Sequence, residues 1–116
     1  MQSEKITEIA TKALHDLKGI DVVTIDIREL TTIADTMIVC TGRSTRHVTS
    51  LAGNVITEAK KHGVGYYKME GEREGEWVIA DLGDVIVHVM LPTTREFYNL
   101  EDLWEPVLKH RESNQR

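Results

Sequence analysis

Apolar positions near the start of the chain recur first every three or four residues and then every second one. Ile6, Ile9, Ala10, Ala13, Leu14 and Leu17 share one side of a 3.6-residue period, which predicts an amphipathic helix with Ser3 as its cap and Gly19 as its stop. From Val22 to Ile27 the period becomes two, with Val23, Ile25 and Ile27 on one side and Thr24 and Asp26 on the other, so a strand is predicted. The run TMIVCT at 36–41 is apolar almost without a break, as in an interior strand covered on both faces, and Gly42 closes it. A second helix is predicted from about Thr45, because Val48, Leu51, Ala52, Val55, Ile56 and Ala59 form one stripe, and Gly63 ends it. Tyr66, Tyr67 and Met69 suggest a short strand before the loop EGEREGE.

The segments Trp77–Leu82 and Val85–Leu91 are joined by Gly83-Asp84, a two-residue hairpin connection with glycine at its first central position. Side chains alternate along each strand, so this register sets Leu82 against Val85, Ala80 against Val87 and Val78 against Val89 on one aliphatic face. The other face sets Trp77 against Met90, Ile79 against His88 and Asp81 against Ile86, a mixture expected to meet solvent or a partner. After Pro92, Thr93 and Glu96 have capping-box spacing, which predicts helical turns from Arg95 to about Trp104. Helical and strand patterns thus alternate without a linker or repeat. The expectation is one α/β domain over 1–104, closed by Pro106 and a polar tail over 105–116.

Composition narrows the class of function. A chain of 116 residues with 41% hydrophobic and 28% charged residues is an ordinary globular domain. Its single cysteine, Cys40, has no internal disulfide partner, and no signal-like or membrane-length apolar run is present, so a cytoplasmic compartment is expected. A net charge of −5 argues against a general phosphate-binding surface and favours a basic protein surface as partner. The glutamates at 70, 72, 74 and 76, relieved by Arg73, read as a solvated tip that could steer such a partner.

Candidate chemistry is sparse. Asp81 and Asp84 flank the turn and could resemble a metal-binding carboxylate pair, but Asp84 as turn chemistry and Asp81 as an exposed strand acid is the favoured reading. His88 reads as a sheet histidine before a catalytic base, and Cys40 as inert packing. The segment GRSTRH at 42–47 opens a helix but lacks a phosphate-loop pattern, so a cap by Ser44 or Thr45 accounts for it. Arg46 and His47 bring cationic character to the positive end of that helix, with Asp35 a natural internal partner. Phe97 and Leu100, three apart, read as core. Trp77 and Tyr98 are expected to be interface anchors, whose truncation weakens binding and leaves the melting temperature nearly unchanged.

Three runs together resemble the Iojap family of ribosomal silencing factors: GRSTRHV at 42–48, EGEREGEWVIADLGDVIVHVM at 70–90 and REFYNLEDLW at 95–104. The resemblance implies a mixed sheet with helices packed on it, a nucleotidyltransferase-like fold without the catalytic acids. It further implies binding to protein fourteen of the large ribosomal subunit, obstruction of subunit joining, lowered translation when nutrients are short, and a bearing on large-subunit biogenesis. The expected partner-binding set is Trp77, Asp81, Leu82, Asp84, His88, Tyr98 and Leu100, with Leu82 depending on the resemblance and on an exposed turn. No catalytic residue, metal, cofactor, membrane contact or sequence-specific nucleic-acid contact is expected, and a homodimer is left open. The competing reading is a nucleotidyltransferase-like enzyme that uses Asp81, Asp84, His88 and a divalent metal.

Overall fold

A computed structural model describes residues 1–102 of the chain. Trp104, Pro106 and the 105–116 tail lie outside the described residues. The elements run α1 (Ser3–Asp16), β1 (Ile20–Asp26), β2 (Thr36–Thr41), α2 (Thr45–Lys61), β3 (Lys68–Glu70), β4 (Trp77–Asp81), β5 (Val85–Met90) and α3 (Pro92–Tyr98). The strands form one mixed sheet in the order β1-β2-β5-β4-β3, in which only β2 and β5 run parallel. No helix among the described residues is long and apolar enough to cross a membrane.

Two apolar layers arise because the strand side chains alternate. On one face α1 and α2 lay their stripes on Ile38, Cys40, Val78, Ala80, Val85, Val87 and Val89, forming the main core. The other face carries a smaller cluster of Ile27, Ala34, Met37, Val39 and Met90, with Ile25, Leu30, Trp77, Ile86 and Leu100 partly buried against it. β2 is buried from Met37 to Thr41 because it lies between both layers, as its unbroken apolar run predicts. The β4–β5 register is the predicted one, from Trp77 opposite Met90 to Asp81 opposite Ile86. Gly83 takes φ +84° at the turn, a conformation a side chain would strain.

Several local expectations are corrected. Ser3 is not a cap: α1 begins at Ser3, and Gln2 precedes it without a side-chain bond. Gly19 does not supply the left-handed stop either. Lys18 does, at φ 61°, while Gly19 is required for space, since a Cβ there would lie 2.6 Å from Cys40 Sγ. The Thr93–Glu96 capping box does not form, because Pro92, whose fixed φ suits a first helical turn, starts α3 two residues earlier. α3 then stops at Tyr98, where Asn99 turns left-handed at φ 50°. Tyr66 and Tyr67 precede β3 rather than joining it, and both are exposed.

Candidate docking face

Helices α1 and α2 cover one side of the sheet, so the mixed side of β4 and β5 is left to α3 and the segment between β1 and β2. Trp77, at the start of β4, sits half-buried against the smaller cluster. Its indole Nε1–H donates to His88 Nδ1 at 3.0 Å. An indole nitrogen can only donate, so His88 must present a lone pair there and carry its proton on Nε2. Burial acts in the same direction, pulling His88 from its ordinary 6.5 down to about 4. The histidine is therefore neutral at neutral pH, with Nδ1 engaged by the indole.

Tyr98 also packs on Trp77, ring centroids 4.8 Å apart, and Phe97 meets Tyr98 edge-on at 5.0 Å. Phe97 is 80% exposed and Tyr98 53%. The core reading of Phe97 is thus overturned, because Asn99 breaks the helix between Phe97 and Leu100 and sends the two side chains different ways. Leu100 packs under the sheet face as part of the smaller cluster. Phe97 is an exposed residue that spacing alone assigned to the core; the signal for it was a seven-residue helix with no buried position.

Arg95 anchors this short helix. Its guanidinium donates to Glu101 Oε1 at 2.7 Å, to the Asp21 carbonyl at 2.7 Å and to Thr41 Oγ1 at 2.8 Å. The side chain is 13% exposed, so the bonds to Glu101 and Thr41 are partly sheltered from water while that to Asp21 is exposed, and together they clamp α3 to the ends of β1 and β2. Sequence spacing did not single out Arg95, whose partners are remote in the chain.

The expected contact set does not gather at one point. Trp77, His88 and Tyr98 come together. Asp81 lies toward the other end of β4, and its Oδ1 accepts the Gly83 N–H at 2.8 Å. Asp84 is exposed at the turn, and its carbonyl accepts from Asp35 and Thr36 N–H at 2.8 and 3.1 Å. The turn is about 17 Å from Trp77 along the strand, at roughly 3.3 Å per residue. The exposure expected of Leu82 is corrected: it is 2% exposed, packed in the main core on the helix-covered face. Trp77 is corrected in part, since its hydrogen bond and packing tie it to the fold. Asp81 Oδ1 is thus engaged by its own turn, and no group of three His, Cys, Asp or Glu among the described residues could hold a metal.

At the start of α2, Ser44 caps the helix by accepting the His47 N–H at 3.1 Å. His47 does not pair with Asp35: its Nδ1 accepts the Arg43 N–H at 2.9 Å and its Nε2 meets the Leu17 carbonyl at 2.8 Å. The 70–76 loop is not a free tip. A Cβ on Gly75 would lie 2.9 Å from Thr45 Cβ, so the loop rests on the first turn of α2.

The family model for ribosomal silencing factor during starvation matches residues 1–116. A ribosomal silencing factor from Chromobacterium violaceum is 45% identical over 104 residues, covering 90% of this chain and 85% of that protein. A crystal structure of a protein from the same organism superposes with a TM-score of 0.88 at 45% identity, covering 90% of this chain and 88% of that one. A mouse protein named for mitochondrial assembly of the ribosomal large subunit is 36% identical over 74 residues, spanning 60% of this chain and 32% of its own length.

Proposed function

The chain belongs to the ribosomal silencing factor family, and from that premise we propose that it binds the large ribosomal subunit through the open sheet face and obstructs joining of the small subunit. The contact is with ribosomal protein fourteen on the surface that meets the small subunit. Translation then falls under nutrient limitation, and the same contact can bear on large-subunit assembly, as the name of the mouse relative suggests. The work is done in the cytoplasm by occupying a surface, without catalysis.

One observation carries this reading: Tyr98 stands exposed on Trp77, with the exposed Phe97 edge-on to it, beside the sheet face that α1 and α2 do not cover. Large aromatics held rigidly at a rim of polar groups are the usual energetic anchors of protein interfaces, since they bury much area for little loss of freedom. No comparable observation among the described residues supports the enzyme reading.

Sedimentation of mixed ribosomal subunits tests the proposal. Added protein should shift joined ribosomes to separate subunits and travel with the large one, and it should bind isolated protein fourteen. A Phe97→Ala/Tyr98→Ala double variant with an unchanged melting temperature should do neither. Retention of both activities by that variant would overturn the assignment of the face.

A further inference from the structure

The described lysines and arginines divide into two groups. Lys5, Lys12, Arg28, Lys61, Lys68 and Arg95 each face a carboxylate, and Lys60 lies over the Tyr67 ring. Lys18, Arg43, Arg46 and Arg73 have no ion pair among the described residues, and their side chains make no hydrogen bond there. All four line two concavities that flank the first turn of α2. Lys18 and Arg43 share one with Ser44 and His47, and Arg46 and Arg73 share the other with Glu72 and Glu74.

Placement of these four cations is built into the fold. The His47 ring ties the Leu17 carbonyl to the Arg43 N–H, which draws the end of α1 and the β2–α2 turn together and puts Lys18 beside Arg43. Close packing of Gly75 on Thr45 brings Arg73 against the same turn. In a protein of net charge −5, four cations without an ion partner gather at this end: Lys18 and Arg43 have no acid in their concavity, and Arg46 and Arg73 share theirs with Glu72 and Glu74.

That end adjoins the docking face. β2 and β5 run parallel and both finish there, with Gly42 N–H bonded to the Met90 carbonyl at 2.9 Å, and Met90 is the residue opposite Trp77. A partner seated on Trp77 and Tyr98 that reaches past this end of the sheet would meet Arg43 and Arg46.

We infer that Lys18, Arg43, Arg46 and Arg73 form a second contact, with an RNA phosphate backbone of the large subunit next to the protein docked on the aromatic face. This rests on the proposed ribosomal docking. RNA is favoured over an acidic protein or a lipid surface because the large subunit carries its negative charge as phosphate, and because separate, solvated cations suit spaced phosphates. The contact reads charge and shape, not sequence.

The test is a quadruple variant, Lys18→Gln, Arg43→Gln, Arg46→Gln and Arg73→Gln, whose melting temperature should match the wild type. Affinity for purified large subunits is measured against salt. Each lost phosphate contact removes roughly 0.7 to 0.9 from the log–log slope, so the variant's slope should be shallower by about three. A fourfold rise in salt should then weaken the wild type roughly 60-fold more than the variant. Binding to isolated ribosomal protein fourteen should be equal for both. Equal slopes on the large subunit would overturn the inference, as would an equal loss on the isolated protein, which would make the occupant an acidic protein surface. Loss confined to anionic phosphatidylglycerol vesicles would also overturn it. If the wild type does not bind large subunits, the docking proposal fails separately, and an A-form RNA duplex becomes the probe. Salt-sensitive duplex binding lost in the variant then supports the cation site, and absence of binding overturns it.

Discussion

Acidification should destabilise this protein through His88 in a way that a single substitution can isolate. In the folded chain burial depresses the imidazole from 6.5 to about 4. Between those values the unfolded chain takes up a proton that the native state refuses, so stability rises with pH across that window. The contribution is complete above about pH 6.5, falls as pH drops, and is gone once pH passes below about 4. At 1.36 kcal/mol per tenfold change in proton affinity, neutral His88 is worth at most about 3 kcal/mol. Protonation also costs the Trp77 bond, because Nδ1 then has no lone pair for the indole N–H. The control is His88→Gln, whose amide oxygen can accept the same N–H but does not titrate. Denaturant unfolding at pH 7 and at pH 4 should show the wild type losing about 3 kcal/mol more than His88→Gln. The other histidines are common to both chains and cancel. Parallel pH profiles for the two would refute both the buried neutral imidazole and the direction of its shift.

Three further outcomes follow from packing and hydrogen bonding. Tyr98→Ala should weaken large-subunit binding by about 2 kcal/mol while the melting temperature moves little, whereas Trp77→Ala should lose both, since Trp77 is part of the smaller core; paired calorimetry and binding titrations separate the two. Arg95→Ala should cost about 2–3 kcal/mol in chemical denaturation by stranding a partly sheltered clamp, and Arg95→Lys should restore little of it, because one ammonium cannot reproduce a fork reaching Glu101, Asp21 and Thr41. Gly42→Ala should destabilise by about 1–3 kcal/mol, because its Cβ would lie 2.7 Å from Val48 Cγ2 and 2.9 Å from Val48 N; an unchanged unfolding midpoint would show that the β2–α2 turn yields easily.

Patterns whose causes lie within a few residues were legible from the amino acids alone. The α2 stripe with a cap at Ser44 or Thr45, the interior character of Thr36–Thr41 and the full register of the β4–β5 hairpin all depend on local periodicity and one turn. The separation of an aliphatic face from a mixed one followed from the same alternation. Where local rules competed, the sequence was ambiguous: Ser3 and Thr93 could each have capped a helix, and in both cases the helix start was set by other residues. Tertiary structure alone decided that β2 lies parallel to β5, which brings the GRSTRH turn to the Trp77 end of the sheet. It also decided which polar groups are spoken for. His47 finds Leu17 across 30 positions, and Arg95 finds Thr41 and Asp21 across 54 and 74. Trp77 meets His88 across 11, and only that contact turns a sheet histidine into the acceptor of an indole N–H. A hydrogen-bonding side chain has the same capacity wherever it stands in the chain, and its partner is chosen by which groups the packed sheet and helices bring within about 3 Å while excluding water.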